Sequence, residues 1–285
     1  MISVKDFTPE ELRKWQMKLL EILVYFRDFC EAHHLRFYLS AGTCLGAIRH
    51  KGFIPWDDDL DVQMPRPDYE KLIEIWNKEA DTSRFICSVT TKDYCSRFPM
   101  AVIRSVNTTC IYDHSVNDDF CQGLKIDVEF LDGVPDNAFK KNLTKQYARL
   151  LALLRAQRVP NRMPAVVRGL ARFILFACPK ALLWRITVFL ENQIKRVPFD
   201  SDCNWVRYLS CDGAPRSCFD STEWVEFEGE KMPIPGGYDL YLKNAYGDYM
   251  QLPPEASRQP ATDNLVFYDL DHSYLDYKGK YYCVK

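Results

Sequence analysis

An α+β protein is predicted by three features of the sequence: a mixed sheet flanked by helices, with a helical subdomain inserted or appended. Short apolar runs alternate with helix-period segments over residues 1–135. From Asn137 to about Arg196 the pattern turns almost wholly helical. After residue 200 it is mixed again. The boundaries predict a core sheet with an N-terminal helix at 1–135, a helical subdomain at 136–200, and a mixed segment at 201–285 that packs back on the core.

The elements follow in order. Thr8-Pro9-Glu10-Glu11 is a helix start, with Thr8 as N-cap, Pro9 at the first helical position and Glu11 closing a capping box. Leu12, Trp15, Leu19, Leu20, Leu23 and Phe26 recur at helical spacing, so this helix runs to about His33. Arg36–Ser40 reads as a strand, Gly42-Thr43 as a turn and Cys44–His50 as a short helix. Leu60–Met64 reads as a second strand, ended by Pro65 and Pro67. Asp68 then opens an amphipathic helix carrying Tyr69, Leu72, Ile73 and Trp76. Further strands are predicted at Phe85–Val89, Ala101–Val106, Thr109–Tyr112 and Leu124–Leu131. A hairpin at Glu223–Ile234 and a helix through Tyr238–Tyr246 close the assignment.

Composition narrows the class. With 285 residues, 47% hydrophobic and 27% charged, the chain has the make-up of a globular protein able to bury a core. A formal charge of -2 gives no global bias toward nucleic acid, so phosphate binding requires a local basic cluster. The aromatics lack the basic interleaving that single-stranded nucleic acid needs, and no nucleic-acid partner is expected. The 11 cysteines contain no CxxC pair, and Met1–Asp6 lacks the basic start and apolar run of a secretion signal. They read as reduced, mostly buried thiols of a cytoplasmic protein. Zinc from Cys87, Cys95, Cys110 and Cys121, or from Cys203, Cys211 and Cys218, is the less favoured alternative.

Chemistry concentrates in Trp56-Asp57-Asp58-Asp59-Leu60-Asp61-Val62. If a strand begins at Asp59, Asp59 and Asp61 share one face about 7 Å apart and converge on a hard cation such as Mg²⁺. A solvated acidic loop or a calcium loop is the plain alternative. In Ile126-Asp127-Val128-Glu129-Phe130 the carboxylates again share a face opposite apolar residues, which asks for a metal partner unless the strand is a solvated edge. Upstream, Gly42 allows close backbone approach and the following helix offers free amides to a phosphate. Arg49, His50 and Lys51 form the nearest basic cluster, placed to grip phosphates and offset developing charge. His33 and His34 read as a helix end, and His114 and His272 as isolated surface or core residues.

The segment Ala41–Pro67 closely resembles the signature of the LicD/fukutin family, which is similar to nucleotidyltransferases: Gly-[Gly/Ser/Thr], Asp-x-Asp, then a third strand Asp. By position these are Gly42-Thr43, Asp59, Asp61 and Asp127. Tyr246-Gly247-Asp248-Tyr249-Met250 and Leu252-Pro253-Pro254 are similar to the family's C-terminal motif, whereas Gln259-Pro260 stands where a His-Pro pair is expected. The resemblance implies a nucleotidyltransferase-like fold and transfer of phosphocholine, or a related phosphoalcohol, from a CDP-choline-type donor onto a glycan or lipid-linked glycan. It further implies Mg²⁺ or Mn²⁺ held by Asp59, Asp61 and Asp127, with Asp127 also taking the acceptor proton. Arg49 and His50 would neutralise charge, and Gly42, Thr43, Arg49 and Lys51 would bind the donor phosphates. Two rival readings stay open: attachment of a nucleoside monophosphate to a small molecule, and a non-catalytic nucleotide- or calcium-binding module. Finally, residues 162–196 interleave Val166, Phe173, Phe176 and Trp184 with Arg162, Arg168, Arg172, Lys180 and Arg185. That pattern suits either peripheral contact at the inner face of a membrane or helices packed on the sheet.

Overall fold

In the computed structural model, residues 2–157, 159, 164–208 and 213–284 are described. Helix α1 (Pro9–Ala32) begins as its sequence dictates: Thr8 Oγ1 accepts from the Glu11 amide while the Glu11 carboxylate accepts from the Thr8 amide. Its apolar stripe, Trp15, Leu19, Ile22, Leu23 and Phe26, is buried in the main core. The chain then forms β1 (Tyr38–Leu39), α2 (Ala41–His50), β2 (Asp61–Pro65), α3 (Arg66–Glu79), β3 (Phe85–Ser88), β4 (Ala101–Ser105), β5 (Thr109–Tyr112) and β6 (Lys125–Val134). Helices α4 (Ala138–Ala156), α5 (Ala165–Ala177) and α6 (Lys180–Ile194) follow. The remainder is β7 (Trp205–Arg207), β8 (Ala214–Pro215), β9 (Thr222–Phe227), β10 (Glu230–Pro235), α7 (Tyr238–Tyr246) and β11 (Leu265–Asp269). The class is α+β, around a seven-stranded mixed sheet of order β1-β2-β6-β4-β3, with β7 and β8 continuing from β6.

Several boundaries differ from expectation, each for a local reason. α2 starts at Ala41, so Gly42 and Thr43 form its first turn instead of a separate turn. α3 starts two residues before Asp68, because Pro67 sits in the first turn, where no amide donor is required. β2 starts at Asp61, which leaves Asp59 on the preceding loop. β6 runs three residues past Leu131 because Asp132, Gly133 and Val134 pair with Arg207, Val206 and Trp205. β11 pairs antiparallel with β5 and has no counterpart in the pattern-based assignment.

The helical segment divides in two. α6 packs on α4 through Leu183, Leu190 and Ile194 against Leu151 and Leu154, in the main core. α5 instead leaves Val166, Phe173 and Phe176 outward, with Phe176 91% exposed. Arg162 and the side chains of Val167 and Leu170 lie outside the described residues. Among the described residues, no single helix is long and apolar enough to cross a membrane.

Candidate active site

The centre of the sheet brings the two acidic segments together. β2 and β6 are parallel neighbours with Asp61 opposite Asp127 and Gln63 opposite Glu129. Strands stand about 4.8 Å apart, so the carboxylates meet across the ladder rather than along one strand. β6 is flanked by β2 and β4, which removes the solvated-edge alternative. Lys125 Nζ lies 2.6 Å from Asp127 Oδ1 and is the cation that the cluster faces.

The loop before β2 is held by two side chains of α1, Trp15 from its apolar stripe and its buried polar neighbour Gln16. Trp15 Nε1 donates to the Asp58 carbonyl at 2.8 Å, and Gln16 Nε2 to the Asp57 carbonyl at 2.9 Å. The buried Asp58 carboxylate accepts the amides of Ala261 and Thr262 at 2.8 and 2.9 Å, so it ties the C-terminal segment and is not free for a ligand. That leaves Asp57 beside Gly42: a β-carbon at Gly42 would stand 3.0 Å from Asp57 Oδ2, tighter than ordinary contact. The glycine therefore permits a carboxylate to approach the first turn of α2. Thr43 Oγ1 accepts the Asp61 amide at 3.0 Å, so this hydroxyl fixes the start of β2 instead of facing a phosphate.

The electrostatics show a deficit of positive charge. Asp57 is pushed up to about 8 by burial, then by Asp59 and Asp58. Asp59 is open to solvent at its outer edge, yet burial and Asp58 raise it too. Burial, then Asp59 and Glu129, put Asp61 well above the carboxylate range. Glu129 is pushed to about 8 by burial, against the Ser40 hydroxyl that donates to it at 2.9 Å. Burial and like-charged neighbours together hold these carboxyls toward their neutral form. Among the described residues, no group of three or more His, Cys, Asp or Glu side chains is arranged so that it could hold a metal ion. The donor chemistry nonetheless fits a hard divalent cation: oxygen ligands only, gathered at low dielectric with excess negative charge.

The basic residues are dispersed relative to expectation. Arg49 Nη1 donates to the Tyr249 carbonyl at 2.9 Å, which joins α2 to the C-terminal motif. Its guanidinium borders a cavity of about 420 Å³ that Trp56 and Tyr246 also line. Burial and Arg258 lower Arg49, so Arg258, which stands over the Trp56 ring, is a second cation on this side that sequence reading missed. Arg49 Nε faces His50 Nδ1 at 3.4 Å; burial and Arg49 lower His50, so His50 is an acceptor for Arg49 and not a further cation. Lys51 lies past the far end of α2, 3.8 Å from Glu226 on the β9–β10 hairpin, and is not brought to the carboxylates.

Tyr246 is the hinge of the site. It lines the Arg49 cavity and a second one of about 330 Å³ beside Glu129, and burial followed by Asp57 and Asp61 raises its hydroxyl. The cysteines do not form zinc sites among the described residues: Cys87, Cys110, Cys121, Cys203 and Cys218 are buried free thiols and Cys95 is a half-buried one. Cys211 lies outside the described residues.

Comparison with known proteins converges on the same segment. Residues 34–112 match the LicD/FKTN/FKRP nucleotidyltransferase domain. The lipopolysaccharide cholinephosphotransferase LicD of Haemophilus influenzae is 30% identical over 267 residues, covering 87% of this chain and 95% of that protein. Two uncharacterized proteins of Rickettsia typhi and Rickettsia prowazekii are 31% and 32% identical over 70 and 74 residues. Those stretches are 24% of this chain in both cases, and 23% and 28% of the relatives.

Proposed function

The chain belongs to the LicD family, and we propose that it is a phosphotransferase that moves phosphocholine from CDP-choline onto a hydroxyl of a lipopolysaccharide-type glycan. The observation that carries this reading is the pairing of Asp61 with Asp127 across β2 and β6, beneath the first turn of α2, in a chain similar to a cholinephosphotransferase along nearly its whole length. A nucleotidyltransferase-like fold is the architecture that reading assigns to the sheet.

In this account Asp59, Asp61 and Asp127 would hold Mg²⁺ or Mn²⁺, which would supply charge neutralisation to the donor phosphates. The Gly42 and Thr43 amides in the first turn of α2 would face the same phosphates, the Ala41 amide being engaged by Tyr241. Asp127 takes the proton of the acceptor hydroxyl as its oxygen bonds to the phosphorus that carries choline. The bridging P–O bond breaks, and cytidine monophosphate leaves on the side of Arg49 and Arg258. Most of the rate comes from positioning and charge, as in other phosphoryl transfers. Incubation with CDP-choline labelled in the choline, and separately in the cytidine, tests the assignment. Choline label in the glycan with free cytidine monophosphate is expected; cytidine label in the product would overturn it.

The same reading places the enzyme at the cytoplasmic face of a membrane, where a lipid-linked acceptor is presented. Its support is α5, which exposes Val166, Phe173 and Phe176, carries Arg168 and Arg172, and contains no acid. Flotation with anionic liposomes is expected for the native chain and lost when Phe173 and Phe176 are both changed to Ser. Equal flotation of the two proteins would remove α5 from the contact.

A further inference from the structure

The second cavity lies on the sheet past the carboxylate pair, over Gln63 and Glu129 and against α7, with Arg207 of β7 also in its lining. Three observations bear on its occupant. Glu129 puts a carboxylate on its floor, and the Ser40 hydroxyl is the hydrogen-bond donor it holds. Aromatic rings form the walls: Phe219 and Tyr241 stand edge-to-face at 6.0 Å, and Tyr246 closes the side toward the reacting carboxylates. Tyr241 is fixed in place because its hydroxyl oxygen accepts the Ala41 amide at 3.0 Å. Lastly, Gln63 Nε2 is buried in the lining with no hydrogen-bond partner among the described residues, which suits an occupant that carries an oxygen acceptor.

We infer that this cavity is the alcohol subsite of the donor, and that it selects a quaternary ammonium over neutral phosphoalcohols. The inference rests on the transfer reading above. Rings with electron-rich faces around a carboxylate are the chemistry that recognises a methylated, weakly hydrated cation. The distances agree. Glu129 is two residues along β6 from Asp127, about 6.6 Å by strand rise, and a two-carbon bridge joins the phosphorus of phosphocholine to its ammonium. With phosphorus beside Asp127, the head reaches Glu129 and the ester oxygen passes Gln63, whose amide then has its acceptor. Glycerol or ribitol in the same place would offer Glu129 hydroxyls but no charge, and would leave the ring faces without a cation.

The test is a ratio, because damage to the metal site lowers all donors together. Native enzyme, Glu129→Gln and Tyr246→Leu are assayed with CDP-choline and with CDP-glycerol, and tetramethylammonium is titrated as an inhibitor. Both replaced side chains are partly exposed, and melting curves check that the fold is kept. The choline-to-glycerol ratio of kcat/KM is expected to fall about tenfold in each variant, with a similar rise in the tetramethylammonium Ki. Unchanged ratios and Ki overturn the subsite while leaving the transfer reading standing. If native enzyme transfers nothing from either donor, the transfer reading has failed. Calorimetric binding of tetramethylammonium, weakened in Glu129→Gln, still decides the cavity: binding keeps it as an onium site and no binding removes it.

Discussion

Two groups of buried charge lie on opposite sides of β6, built from the same residue types with opposite outcomes. On one side Asp57, Asp59, Asp61, Asp127 and Glu129 crowd together facing Lys125, and four of the five are raised. On the other, Arg66 forks onto Asp132 at 2.9 and 2.5 Å beneath the Phe130 ring. Glu191 there lies 2.7 Å from Arg155, 3.4 Å from Arg66 and 3.3 Å from Lys195. Burial alone would raise Glu191, yet Arg155, Arg66 and Lys195 outweigh it and hold it below the usual range. Partners, not depth, separate an acid held in its ionised form from one pushed toward its neutral form.

Breaking the unpaired side should show in activity and not in folding. Asp61→Asn or Asp127→Asn is expected to lower turnover by roughly a thousandfold or more, the scale of losing an electrostatic contact made in the transition state. In chelator, Asp61→Asn should melt no lower than native protein, since one crowded charge is gone. A variant that keeps near-normal turnover at saturating Mg²⁺ would take that residue out of the site.

Breaking the paired side should do the reverse. Arg66→Met strands Asp132 without its guanidinium and is expected to cost about 3–5 kcal/mol in denaturant unfolding. A loss under about 1 kcal/mol would mean the network is no more than a surface pair. Arg49→Ala should fall between the two classes, lowering turnover roughly ten- to a thousandfold. Arg49→Lys should recover only part, because an ammonium offers a phosphate no planar, bidentate fork.

Cation addition sharpens the contrast. Mg²⁺ or Mn²⁺ should raise the melting temperature of native protein by a few degrees, a gain that chelator reverses and Asp61→Asn abolishes. Arg66→Met should retain the shift from its lower baseline. The smallest effect is acid sensitivity. Glu191 is depressed in the fold relative to its ordinary 4.5, so its contribution is complete above about that pH and is lost as pH falls through the lower folded value. Glu191→Gln should flatten the stability profile below that pH, and an unchanged acid limb would show that other carboxylates set it.

Much of this was legible from residue order because it is local. The Thr8–Glu11 capping box, the Leu19–Leu23–Phe26 stripe, the β9–β10 hairpin and helix α7 each depend on neighbours a few residues apart. So did the alternation that puts Asp127 and Glu129 on one face, since a strand's side-chain period is two. Which strands lie side by side is not local. The register of Asp61 with Asp127, the seat of Tyr246 between two cavities, and the diversion of Thr43, Asp58 and Lys51 to other partners all join residues far apart in the chain. Loop closure costs entropy that only the assembled core offsets, so no short window of sequence carries those contacts. Residue order determined which carboxylates were available; the packed sheet decided which of them were left without a counter-charge.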